Sequence, residues 1–134
     1  MGIRNAEATC IVHKNAFAFY SMNGNGVKPL LFFYENKPNI LKNATVYDKV
    51  IGKAAAEICV LGGVRKVFGK IMSKAAKEYL EKHDIKFEFD MLVDKISNRT
   101  GDGICPLEAS VLDIEDPQEG LKSIKLTIER LMKQ

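Results

Sequence analysis

Strict alternation marks one segment before any other. In "IKFEFD", residues 85–90, Ile85, Phe87 and Phe89 fall on one side and Lys86, Glu88 and Asp90 on the other, the two-residue period of a half-exposed strand. "ATCIVH" and "AFAFYSM", rich in β-formers around Lys14-Asn15, predict an opening hairpin, and "VRKVFGKIM" a later strand. Helices occupy the intervals. "VKPLLFFYEN" takes Pro29 in its first turn and is stopped by "NKPN". "YDKVIGKAAAEICVLGG" predicts a central helix with Asp48 as N-cap, a run of alanines for close contact with a sheet, and Gly62-Gly63 as its stop. Ser73 caps "KAAKEYLEKH", in which Ala75, Ala76, Tyr79 and Leu80 share a face. Two last helices start at Cys105 and Asp116, the second carrying Leu121, Ile124, Leu126, Ile128 and Leu131 through an amphipathic run. The order β-β-α-α-β-α-β-α-α, with no internal repeat, predicts one α/β sandwich domain over 1–134 with helices on both faces of a sheet.

Composition narrows the classes. The chain has 134 residues, 46% of them hydrophobic and 28% charged, which fits a single soluble domain with a sizeable core. There is no long apolar run and no leader-like start, and Ala6 stands where a myristoylation motif starting at Gly2 wants Ser or Thr. Three widely spaced cysteines, Cys10, Cys59 and Cys105, match neither a disulfide framework nor paired CxxC zinc sites, so a cytoplasmic, membrane-free protein is expected. Charge is uneven. Residues 1–70 hold ten Lys/Arg against four Asp/Glu, and residues 71–134 ten against thirteen. That excess suits an anionic small molecule. Nucleic acid is not expected, because the sequence displays no basic face with stacking aromatics.

"CPLE" at Cys105 and "DPQE" at Asp116 share one pattern: cap, Pro, any residue, Glu. Pro suits the first helical position, and Glu three residues after the cap can reach back to the cap's backbone N–H. Glu108 therefore has a structural reading beside any chemical one. Asp116 offers a good capping oxygen, whereas Cys105 offers a poor sulfur acceptor. A thiol at a helix start faces unpaired N–H groups that favour thiolate, which makes Cys105 a candidate nucleophile; an inert, packed cysteine is the other reading. Arg99 lies six residues upstream across a glycine-rich turn, and Gly101 and Gly103 permit close approach of a ligand.

"DKVIGKAAA" (48–56), "ISNRTGDGICPLE" (96–108) and "GVKPLL" (26–31), taken together, resemble a small uncharacterised family, a domain of unknown function, of the cytidine deaminase-like superfamily. The resemblance runs in order along nearly the whole chain. It implies a three-layer α/β/α sandwich around a mixed sheet, with the starts of the central helix and of a later helix meeting at one pocket beyond the strand ends. In zinc deaminases one helix start supplies a His or Cys ligand followed by a catalytic Glu, and the other supplies PCxxC. Here "GKAAA" has neither ligand nor Glu, and "CPLE" puts Glu108 where the second Cys would be. A thiolate and a carboxylate fall short of the three protein ligands of a catalytic zinc. His13 and His83 read as surface residues on a turn and a helix end. No zinc and no other cofactor are expected.

What replaces the metal motif is Lys53 near one helix start and Cys105 at another, with Asp48, Asn98 and Arg99 alongside. Two functions follow. One is a metal-independent enzyme acting on an anionic, nucleotide-like small molecule, with Cys105 as nucleophile, Lys53 or Arg99 holding the anionic group and Glu108 or Asp48 moving protons. The other is a module that keeps the same pocket, with Lys53 and the ligand-binding candidates Asp48, Asn98 and Arg99, to bind or sense such a ligand without turnover. Lys53 as a solvated helix lysine and Arg99 in a loop ion pair are the plain structural readings. A homo-oligomer is a further expectation, through the "IKFEFD" edge or the C-terminal helix.

Overall fold

A computed structural model of the chain describes residues 10–15, 18–22, 27–97, 101 and 103–133. The opening hairpin forms as β1 (Cys10–Asn15) and β2 (Ala18–Met22), paired antiparallel. His13 thus lies within β1 rather than on a turn. Helix α1 (Lys28–Asn36) has Pro29 in its first turn, where the missing N–H would have had no helical partner, and a short 3-10 turn at Pro38–Ile40 follows it.

One element departs from the sequence prediction. Where the central helix was expected to begin, Thr45–Ile51 form strand β3, so Asp48 sits in mid-strand, and the N-cap of α2 (Lys53–Gly62) is Gly52. The segment is rich in β-branched and aromatic residues, and its backbone is paired on both sides. Ile11 of β1 faces Tyr47 antiparallel, and Tyr47 faces Phe68 of β4 (Lys66–Ser73) in parallel. Over Thr45–Asp48 that double ladder gives the backbone partners on both sides, and Val46 is buried there. The far end of α2 is as expected: Gly63 takes φ 75°, and Val64 N–H closes on the Cys59 carbonyl at 3.1 Å.

The remaining elements are α3 (Lys74–Lys82), β5 (Lys86–Val93), the one-turn α4 (Pro106–Ala109) and α5 (Pro117–Met132). Strand order is β2-β1-β3-β4-β5, with β3, β4 and β5 parallel to one another. The chain is thus an α/β fold, a mixed sheet flanked by helices. The crossovers from β3 to β4 and from β4 to β5 run through α2 and α3, and α2 packs against both α3 and α5. Residues Lys53–Cys59 of α2 are all buried, and Ala54, Ala55 and Ala56 keep the helix thin enough to fit between sheet and neighbours. The core joins Val12, Val46 and Val67 of the sheet to Ile58, Leu80 and Ile124 of three helices. In α5, Ile124 is buried and Leu121 and Ile128 pack on the core, but Leu126 is 66% exposed. It lies off the stripe that these three residues define, and Thr127 takes the buried place beside them. Among the described residues no helix is long and apolar enough to cross a membrane.

Helix α5 docks on α2 at Gly120. A Cβ there would overlap Oε1 of Glu57 and lie 2.6 Å from its Cδ. Gly120→Ala is therefore expected to destabilise the protein by about 1–3 kcal/mol in urea denaturation, as overpacked cores do. Adding Glu57→Ala should recover part of that loss if the clash is the cause.

Candidate functional site

The carboxyl ends of parallel strands are where α/β sheets usually take their ligands, and here two helices begin there. Strand β3 leads through Gly52 into α2, and β4 leads through Ser73 into α3. Each helix start leaves N–H groups without helical partners. Ser73 Oγ accepts from Ala76 N–H at 3.1 Å, the expected cap. Gly52 has no side chain to cap α2, and Glu108 supplies one from 55 residues away: its Oε1 accepts from Lys53 N–H at 2.6 Å, and its Oε2 accepts from Ser73 Oγ at 2.9 Å. A Cβ at residue 52 would lie 2.8 Å from Glu108 Cδ, so the bare glycine makes this approach possible.

Glu108 thus does not form the reciprocal cap expected within its own helix. The Cys105 N–H it would have bonded donates instead to Ile96 O at 2.8 Å. Burial raises the Glu108 carboxyl above its ordinary range, against the opposing pull of the Ser73 hydroxyl, the N–H groups of Lys53 and Ala54 and the Lys53 charge. The expected partner at the second pattern, Glu119 of α5, ion-pairs with Lys122, and Asp116 caps α5 with a long 3.4 Å bond to Gln118 N–H.

Lys53 is buried rather than solvated. Its Nζ donates to the Glu115 carboxylate at 2.7 Å and to Leu112 O at 2.9 Å, and it stands 5.5 Å from the centroid of the Tyr79 ring. The partners differ sharply in exposure, with 4% of the Lys53 side chain and 57% of the Glu115 side chain accessible. Glu115 also reaches Lys82 at 3.2 Å, and these two lysines hold its carboxyl below the ordinary range, Lys53 first. Tyr79 donates its hydroxyl to Glu115 O at 2.8 Å. Together these groups border a cleft of about 100 Å³ between α3 and the turn joining α4 to α5.

The other candidates are dispersed. Cys105 is half-buried at the N-cap of α4, and a single helical turn provides little of the dipole expected to activate it. Asn98 and Arg99 lie outside the described residues. Asp48 points into the core from β3, paired in register with Cys10. It accepts from Lys49 N–H at 2.7 Å, and desolvation outweighs its hydrogen bonds to lift its carboxyl to about 7. Burial also pushes up the Cys10 and Cys59 thiols, with Asp48 adding to both. His83 ends α3 with its ring 4.4 Å from that of Tyr79. Among the described residues no three His, Cys, Asp or Glu side chains are grouped to hold a metal ion. Both carboxylate oxygens of Glu108 are engaged as a helix cap, one by Lys53 N–H and the other by Ser73 Oγ.

One group escaped the sequence reading. Glu57, within the apolar stretch of α2, is fully buried, and neither of its carboxylate oxygens has a hydrogen-bond partner. A charged residue inside "AAAEICV" was the available signal. Desolvation, reinforced by Glu115, Asp116 and Glu108 and opposed by Lys53, raises its carboxyl from 4.5 to about 8. The native state therefore binds this proton more tightly than the unfolded chain, and stability must fall as pH rises from about 4.5 to 8. Asp48 and Glu108 act in the same direction. Glu57→Gln is expected to match wild type near pH 5 and to exceed it by roughly 1–3 kcal/mol near pH 8 in urea titrations across that range.

Comparison with curated proteins finds no match. Among solved structures the chain is similar to a DUF1893 family protein from Thermotoga maritima, at 24% identity and TM-score 0.80 over 92% of this chain and 80% of that one. It is also similar to RibD from Acinetobacter baumannii, at 18% identity and TM-score 0.48 over 90% of this chain and 34% of that one. The first of these likenesses shows a shared fold. The family model described as a domain of unknown function (DUF1893) matches residues 2–128, and the chain belongs to that family.

Proposed function

We propose that the protein is a metal-independent binding module on a deaminase-like scaffold, and that it holds the anionic group of a small, nucleotide-like molecule in the cleft beside Lys53. The observation that carries this reading is the asymmetry of the Lys53–Glu115 pair. An ammonium fixed in the protein interior needs a counter-charge, because an isolated buried charge is costly. The one it has belongs to a carboxylate that is more than half in solvent. Glu115 can be exchanged for a ligand phosphate or carboxylate at little desolvation cost, with Lys82 meeting the same anion at the mouth. A cleft of this size accommodates the charged group, and the remainder of the ligand stays outside. The deaminase-like reading of the scaffold rests on the sequence resemblance, with the mixed sheet and the meeting of α2 with α4 in keeping with it.

The candidate acid–base groups favour binding over turnover. Glu108 is spent on two helix starts, and Lys53 is held by a carboxylate and a carbonyl. An enzyme reading keeps one supporting observation: of the three cysteines, Cys10 and Cys59 are buried and Cys105 is partly accessible. If Cys105 is a nucleophile, it should react with a thiol probe at neutral pH roughly tenfold faster than free glutathione. A rate at or below that of glutathione removes the enzyme reading.

The binding reading is tested by thermal shift and calorimetry with inorganic phosphate and nucleoside mono- and diphosphates. Glu115→Gln, which removes the internal competitor, is expected to tighten binding roughly tenfold, the scale of a charge-assisted contact. Lys53→Met should abolish the ligand-induced rise in Tm while remaining folded by circular dichroism. If Glu115→Gln leaves affinity unchanged, or if no phosphate-bearing compound stabilises either protein at millimolar concentration, the cleft is not the site.

A further inference from the structure

The sheet's other face carries groups that the cleft does not use. The register aligns Tyr47 of β3 with Phe68 of β4 and Phe68 with Glu88 of β5. Val46, Asp48, Val67 and Gly69, which alternate with the first two, are buried toward the helices. The Tyr47 and Phe68 rings stand side by side on adjacent central strands, 6.0 Å between centroids and 48° apart, with Tyr47 38% exposed. Lysines bracket this pair along the strands, Lys66 and Lys86 on one side and Lys49 and Lys70 on the other, with Glu88 and Asp90 confined to the edge strand β5. Lys66 is paired with Glu88 at 2.8 Å, but both side chains are accessible, 35% and 62%, and an exposed ion pair is weak enough to yield to another anion.

We propose that this face binds single-stranded nucleic acid, with unpaired bases stacking on Tyr47 and Phe68 and phosphates meeting Lys49, Lys66 and Lys70. The sequence had counted against nucleic acid for want of a basic face with aromatics. Strand β3, hidden in the apparent helix start, sets Tyr47 and Lys49 beside Phe68, Lys66 and Lys70 of β4. Neighbouring strands lie about 4.8 Å apart, so aromatic side chains on two of them form a platform wide enough for successive bases, while the flanking lysines track the backbone. A duplex has its base faces stacked internally and could offer this surface its phosphates alone. The site lies on the sheet and is independent of the Lys53 cleft.

The test is fluorescence anisotropy with labelled oligo(U) and oligo(dT) of about 20 nucleotides and a duplex of equal length, together with the native mass of the protein. The expected result is binding of single strands at least roughly tenfold tighter than of duplex, weakened on the order of tenfold by Tyr47→Leu, which keeps apolar bulk on the strand. Lys70→Glu, at an exposed position, should weaken binding and flatten its salt dependence. Thermal melts confirm that both variants fold. Equal affinity for duplex and single strand, or affinity that Tyr47→Leu leaves unchanged, overturns the proposal. So does protein running at twice its 15.0 kDa mass without binding oligonucleotide, because a second copy would then cover the face.

Discussion

The carboxylate of Glu108 joins the parts of this fold that sequence keeps farthest apart. It bonds the first N–H of α2 and the hydroxyl that caps α3, so both helices following the central parallel strands are fixed by one buried group. Such a group is costly to bury unless donors surround it, and strongly favourable when they do. Gly52 provides the space. The arrangement has a functional consequence as well. The strand ends are the usual place for an anion at a helix start, and here the protein's own carboxylate occupies it. To one side of it Lys53 turns its ammonium toward α3 and the α4–α5 turn.

Two carboxylates compete for that ammonium, and their environments decide between them. Glu57 stands one helical turn after Lys53 on α2, a spacing that would allow a pair. Lys53 instead reaches Glu115. An exposed carboxylate keeps its charge at little cost, and two lysines draw its proton affinity down; a carboxylate sealed between α2 and α5 sheds its charge more easily than it could keep it. One lysine thus leaves a neutral buried acid on one side and an accessible ion pair on the other. The interior remains close to uncharged, and the exchangeable charge faces the cleft.

Much of this was legible in the sequence, and the failures share a cause. Alternation in "IKFEFD", the Ser73 cap, Pro29 in a first turn and the Gly62-Gly63 stop all report local geometry, and each appears where local geometry places it. Strand β3 was missed because "YDKVI" reads equally well as a helical lead-in, and only its two partner strands decide the matter. The capping reading of Glu108 names the wrong helix, because the local reach-back and the distant cap use the same side chain. For Lys53 the plain alternative of a solvated helix lysine fails: the side chain is buried, and its ammonium is paired with the exposed carboxylate of Glu115. In each case a partner distant in the chain outbid a near one.

The uneven charge of the chain acquires a location from the same topology. The lysine-rich first half contributes β3 and most of β4, and since these strands turn their apolar residues and Asp48 toward the helices, alternation sends Lys49, Lys66 and Lys70 to the other face. The acidic second half contributes α4, α5 and their connecting turn, whose carboxylates cap α2 and neutralise Lys53. Three cations of the first half therefore share one sheet face, and Glu108 and Glu115 of the second half are engaged at the start of α2. A net charge of only +3 conceals this separation, because it sums two distinct surfaces. The cleft borders one buried cation paired with an exposed carboxylate, and the sheet face carries lysines around an aromatic pair.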